Sequence, residues 1–335
     1  MTVRLPGEFE PHERTVICWP ARHGLYGDRF AEAEEAHAKV ANEIVRFEPV
    51  VMLVNHHQAD RARALCDPFV DVIPMEMDDA WFRDTGPIYV RDDSAECGRV
   101  ATDWVFNGWG NKFHPHDKDA TLAARWAEFN GDEVRSIPMV LEGGSINSNG
   151  AGLVATTSQC LLHPNRNPGF HAPEIAQMME SHFGAAAILW LPYGLALDGD
   201  TDGHVDNVAA FADQETLVVQ MCSDPSELDH ERMRANRQTV GVFTENQIWP
   251  IKVIEIPVLP FVDTPNGRLV VPYLNFYVGN GFVLVPICGH PSDSEMLDLV
   301  GSAFPGREVI GLDVGEILAV GGGGIHCITQ QIPKV

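Results

Sequence analysis

Five times along this chain a helix-length segment leads into a strand, a polar or glycine-rich turn and a second strand. In the first pass, Phe30, Ala33, His37, Val40, Ala41 and Ile44 share one face at helical spacing. They predict a helix from Asp28 to about Phe47, capped by Asp28. "VVMLVN", the short helix "QADRARALC" and "VDVIPM" follow, and then "DDAWFRDTGPIYV". The order returns in "KDATLAARWAEF", "VRSIPMV" and "LEGGSINSNGAGLVAT", the last read as a hairpin turning at Ser148, Asn149 and Gly150. It returns in "HAPEIAQMMESHF", "AAILWLPY" and the hairpin "DTDGHVDNVAAFADQETLVVQ", then in "PSELDHERMRANRQTV", "KVIEIPVLP" and "RLVVPYLNFYVGNGFVLVP". A last pass runs through "SDSEMLDLVGSAF" and "REVIGLDV" into "VGGGGIHCITQQIPKV".

The polar turns fall near Asp84, Gly143, His204, Asn275 and Cys327, at successive spacings of 59, 61, 71 and 52 residues. No linker or low-complexity stretch divides the chain, whose length allows one large domain or two smaller ones of α/β class. Tandem α/β units of this size can build a doubly wound sheet, a barrel or a closed ring, and the spacing does not choose among them. In a ring, all five turns would face a common centre.

Composition narrows the partners. Hydrophobic residues make up 45% of the 335, enough for a large core. No apolar run approaches the roughly 20 residues of a membrane helix. The opening "MTVRLPGEFEPHE" is acidic and proline-broken, unlike a signal peptide, and a cytoplasmic location is expected. A formal charge of −24 argues against nucleic acid or an anionic membrane as partner. It suits a small cationic substrate, or simply a well-solvated surface. Seven cysteines, an odd number without a C-x-x-C pair, do not read as a zinc ribbon or a disulfide framework.

Three turns carry chemistry. In "WFRDTGP", Trp81 and Asp84 would clamp a flat cation between an indole face and a carboxylate, unless Asp84 is only an ion-pair partner of Arg83 at a turn. In "DTDGHVDN", His204 and Asp206 would share one face of a strand, with Asp200 and Asp202 close by. That set fits an acid–base pair or a hydrogen-bonded turn better than zinc, since no second histidine is near. "GGGGIHC" lacks the G-K-[ST] of a phosphate loop, and too few residues follow for a helix. Its glycines would instead let the backbone lie close to a ligand while Cys327 points into a cleft. On a strand His326 would point away from Cys327, which makes His204 the better partner. A thiol, an imidazole and two carboxylates exceed what a Cys/His amide hydrolase needs. They suit nucleophilic attack on a guanidinium, whose five N–H donors lie in one plane.

The ordered motifs "LPGEFEPHERTVICWP", "DDAWFRDTGP", "FNGWGNK", "LEGGSI", "DTDGHVDN", "YLNFYV" and "GGGGIHCITQQIP" span nearly the whole chain. They resemble the agmatine deiminase and bacterial peptidylarginine deiminase family of the guanidine-modifying superfamily. The resemblance implies a single catalytic domain over residues 1–335 with the pentein fold, a five-bladed α/β propeller with pseudo-fivefold symmetry, and it alone supplies the closed ring. It implies Cys327 as nucleophile, His204 as general acid–base, Asp84 and Asp206 as the carboxylates gripping the guanidinium, and Trp81 as an aromatic wall. Asn275 matches a polar residue near the substrate, and Asp200 an acidic residue for the far amine of agmatine. No cofactor and no metal are implied, and a homo-oligomer is compatible. The implied reaction converts agmatine to N-carbamoylputrescine and ammonia. Another guanidine, such as peptidyl-arginine, arginine or a guanidino acid, is the alternative, and a non-catalytic binding protein on the same fold is another. Two positions depart from the family pattern: Asp202 where plant-like agmatine deiminases tend to carry Asn, and Gly324 where many carry Asn.

Overall fold

Each parallel strand pair in this chain needs a crossover, and the predicted helices supply it. The computed structural model describes residues 3–246 and 249–335. Within them one pattern recurs five times: an antiparallel pair, a helix, and a third strand parallel to the second member of the pair.

Ile88–Asp92 pairs antiparallel with Arg99–Val105, and Leu122–Asn130 crosses to the parallel Val134–Val140. Ile146–Ser148 and Leu153–Thr157 form the next pair, with Ala172–Phe183 crossing to Ala187–Leu191. Ala209–Phe211, Thr216–Gln220 and Lys252–Ile256 make the third sheet, with Leu228–Asn246 as its crossover. Tyr277–Gly279, Phe282–Ile287 and Glu308–Asp313 make the fourth, crossed by Asp293–Ala303.

The fifth sheet is assembled from both ends of the chain. Thr329–Pro333 pairs antiparallel with His12–Cys18, which is parallel to Val50–Val54 across the helix Phe30–Ile44. That pairing closes the ring, and the architecture is the five-bladed α/β propeller. A buried network reinforces the closure: Glu48 accepts from His12 Nδ1 at 3.1 Å, from the Asn280 N–H at 2.7 Å and from the Thr15 hydroxyl, and Thr15 lies 2.8 Å from the Tyr277 hydroxyl. A hairpin of Phe261–Thr264 and Gly267–Val270 lies outside the repeat.

The middle strands Val50–Val54, Leu153–Thr157 and Thr216–Gln220 are buried at every position, as strands covered on both faces must be. The helix Ala172–Phe183 starts with a capping box between His171 and Glu174 and ends on Gly184 at φ 66°. The predicted cap at Asp28 does not form. Gly27–Arg29 make a 3-10 turn whose Gly27 carbonyl takes the Phe30 N–H, so the helix begins at Phe30 with no side-chain cap. Its predicted face is otherwise correct, with Ala33, His37, Val40, Ala41 and Ile44 all buried. The hairpin expected around Ser148–Gly150 is present, its turn held by Asn149 Oδ1 accepting the N–H groups of Ala151 and Leu153. Among the described residues no helix is long and apolar enough to cross a membrane.

Ile332 is fully buried on the closing strand. Replacing it by alanine should cost about 2–5 kcal/mol, read as a lower urea midpoint at unchanged slope. An unchanged midpoint would mean that the closing strand contributes little to stability.

Candidate active site

The turn after each parallel strand runs toward the ring centre, and the five predicted positions meet there. Phe82–Thr85 forms a single helical turn that buries Asp84. Asp84 Oδ1 accepts the backbone N–H of Gly144 at 2.9 Å, and Oδ2 accepts the Trp109 indole N–H at 2.9 Å. Gly144 must be glycine. A Cβ there would sit 2.6 Å from His204 Nδ1, 2.9 Å from Asp84 Oδ1 and 3.0 Å from Asp206 Oδ2. Those three side chains therefore converge on one point.

His204 and Asp206 reach that point from a 3-10 turn, Val205–Asn207, and not from the expected strand. Asp198 shapes this turn by accepting from the Thr201 hydroxyl at 2.6 Å and the His204 N–H at 3.1 Å. The tail corrects a second expectation, because Ile325–Ile328 is one helical turn followed by the strand Thr329–Pro333. His326 therefore does not point away from the site. Its Nδ1 lies 2.9 Å from Asp206 Oδ2, and its Nε2 lies 3.0 Å from both oxygens of Glu8. Arg83 pairs with Glu8 at 3.3 Å, so the Arg83–Asp84 ion pair left open by the sequence is not the arrangement found.

Cys327 lies 3.6 Å from Asp206 Oδ2 and 3.3 Å from Asn275 Nδ2, and Asn275 also donates to Asn207 Oδ1 at 2.9 Å. Gly324 makes room for this: a Cβ there would meet Asn275 Oδ1 at 2.3 Å. Cys327, Asp84, Trp81 and Asp200 line a pocket together with Trp109 and Phe113. His204 faces Asp84, 3.8 Å away, and the thiol's own polar neighbours are Asp206 and Asn275.

Among the described residues, the buried Asp206 Oδ1 has no hydrogen-bond partner. Such a group is costly unless a ligand satisfies it. Burial pushes the Cys327 thiol well above its ordinary range, and Asp206 and Asp84 push it further the same way. Burial opposes charging His204, yet Asp84, Cys160 and Asp206 outweigh it and raise the imidazole. Both shifts run in the direction of a neutral thiol and a protonated imidazole. Burial likewise opposes the charge on Glu8, but Arg83 and His326 hold its carboxyl down at about 2.

Glu142, Cys160 and His204 bring three potential metal-ligand atoms within 4.8 Å of one another. Arg166 already fills the cationic role there, with Nε 2.6 Å from Glu142 Oε1 and Nη1 2.6 Å from Asp202 Oδ2. Sequence reasoning assigned no role to Glu8, Trp109, Glu142 or Arg166. Trp109 and Glu142 lie inside "FNGWGNK" and "LEGGSI", which had signalled them without a task.

The family model for Porphyromonas-type peptidyl-arginine deiminase matches residues 4–333. A Streptomyces coelicolor chain is 40% identical, covering all of both chains. The agmatine deiminase of Stutzerimonas stutzeri is 36% identical over 98% of this chain and 95% of its own. The solved structure of an Enterococcus faecalis agmatine deiminase superposes with a TM-score of 0.93 at 32% identity, covering 99% of this chain and 96% of that one.

The raised thiol gives a direct expectation. Alkylation of Cys327 by iodoacetamide should climb with pH and show no plateau by pH 9, the thiol's ordinary value. A plateau near neutral pH would contradict the neutral resting thiol.

Proposed function

Because this chain belongs to the Porphyromonas-type peptidyl-arginine deiminase family, we propose that it is an agmatine deiminase, converting agmatine and water to N-carbamoylputrescine and ammonia. The observation that carries this is a buried thiol beside two carboxylates, one of which keeps an unpartnered oxygen, in a pocket whose mouth carries a third carboxylate, Asp200. The guanidinium fits between Asp84 and Asp206, with Trp81 and Trp109 as walls. The butyl ammonium then extends toward Asp200.

Substrate charge readies the nucleophile. With the cation seated, the repulsion from Asp84 and Asp206 that disfavours a thiolate is neutralised, and Cys327 releases its proton to solvent. The thiolate attacks the guanidinium carbon and forms a C–S bond. His204, already protonated, gives its proton to one nitrogen, the C–N bond breaks, and ammonia leaves a thiouronium on Cys327. Neutral His204 then takes a proton from water while the oxygen adds to the same carbon. The C–S bond breaks, the thiolate returns, and the ureido product forms after loss of one proton. Asn275 donates toward the sulfur, and His326, held by Glu8, orients Asp206.

A free or peptidyl arginine would bring a carboxylate or a peptide chain to the mouth where Asp200 stands, which favours a substrate ending in an amine. Residues 1–335 act in this reading as one catalytic domain in the cytoplasm, a setting that keeps seven cysteines reduced.

Ammonia release should be strong from agmatine and weak from arginine or a blocked arginine peptide. Cys327→Ser should lower turnover by at least about 10³-fold. Turnover of another guanidine alone would keep the chemistry and move the substrate, whereas near-normal activity of Cys327→Ser would overturn the mechanism.

A further inference from the structure

Three aspartates lie within residues 198–202, beside the pocket that Asp200 lines, and the other two are already committed. Asp198 is used by Thr201, the His204 N–H and Asn207 Nδ2. Asp202, one of the two departures from the family pattern, is held by Arg166 at 2.6 Å, Asn165 at 2.9 Å and Lys112 at 2.6 Å. Its charge is neutralised inside the protein. Asp200 differs: its carboxylate lines the pocket and makes no hydrogen bond among the described residues.

Lys112 comes from the segment that brings Trp109 and Phe113 to the pocket wall. The preceding turn has left-handed backbone at Trp109 (φ 52°), Gly110 (φ 83°) and Asn111 (φ 63°), fixed by Asn107 Oδ1 accepting the Gly110 N–H at 2.8 Å. This conformation is unusual for non-glycine residues. It sends the indole of Trp109 inward to Asp84 and the ammonium of Lys112 across to the loop carrying Asp200. There Nζ meets three oxygens: Gly199 O at 2.6 Å, Asp200 O at 3.1 Å and Asp202 Oδ1 at 2.6 Å. Three oxygens around one ammonium match its three donors. The cage is built for an alkylammonium and Lys112 occupies it.

We propose that Lys112 is a specificity-determining residue that sets the tail length the pocket accepts. It fills the outer ammonium cage, so a substrate's terminal ammonium can pair only with the Asp200 carboxylate, further in. This inference rests on the proposed deimination of an aminoalkylguanidine and assigns what limits its chain. Removing the Lys112 ammonium opens the cage to a longer substrate whose terminal amine takes the vacated place. The loop itself keeps other anchors, since Asp202 retains Arg166 and Asn165 and the Lys112 backbone N–H stays on Gly108 O.

The test is a homologous series of aminoalkylguanidines with three to six methylenes, assayed by ammonia release with the unmodified enzyme, Lys112→Met and Lys112→Arg. Lys112 is exposed, so neither variant disturbs a packed core. In Lys112→Met the ratio of kcat/KM for the five- or six-methylene homologue over agmatine should rise by about tenfold or more, chiefly through KM. Lys112→Arg should keep the original ranking. A uniform loss across the series in Lys112→Met, with the ranking unchanged, would overturn the inference and leave Lys112 a structural staple between the two segments. Absence of turnover by the unmodified enzyme on every member would instead overturn the deiminase reading beneath it.

Discussion

Asp206 is held at one oxygen and left open at the other, and the rest of the site is arranged around that asymmetry. Oδ2 receives His326 and lies against the Cys327 thiol, while Oδ1 is buried without a partner. A buried carboxylate is stable only when paired or hydrogen-bonded. Half of that requirement is met by His326, which is itself held by Glu8 and, through it, by Arg83. The other half is left for a planar cation. Asp84, satisfied by the Gly144 N–H and the Trp109 indole, faces the same point from another blade.

That arrangement favours a neutral resting thiol. Two carboxylates beside a buried sulfur oppose a second negative charge, so in the proposed mechanism Cys327 is a weak nucleophile until a cation arrives. The same carboxylates raise the His204 imidazole, which in the proposed mechanism donates when ammonia must leave. In that mechanism a cationic substrate serves as both reactant and trigger. An apolar or anionic compound would find a sulfur without nucleophilic strength.

Ring closure delivers these groups from distant sequence positions. The five-turn periodicity was legible because each turn carries a residue with chemistry and the helices between them are strongly periodic. Asp84, His204, Asp206, Asn275 and Cys327 come together as they would in a closed ring, which the spacing leaves open and the family resemblance supplies. The roles of Glu8 and His326 were not legible. Glu8 reaches the centre only because the last strand pairs with His12–Cys18, and His326 faces Asp206 only because Ile325–Ile328 coils into one turn where a strand was expected. A tail this short gives no periodicity by which to distinguish a turn of helix from a strand. The failed cap at Asp28 has a similar origin, since a 3-10 turn supplies locally what a side chain would have supplied.

In the proposed mechanism a bound guanidinium turns Cys327 into a nucleophile that carries the carbon through the reaction. Rapid-quench intact mass spectrometry during turnover of agmatine tests it most directly. A transient adduct on Cys327 with the mass of agmatine less ammonia should form before the ureido product and be absent from Cys327→Ser. Product formation at full rate with no adduct at any time would mean that water attacks the guanidinium directly, and would contradict the account.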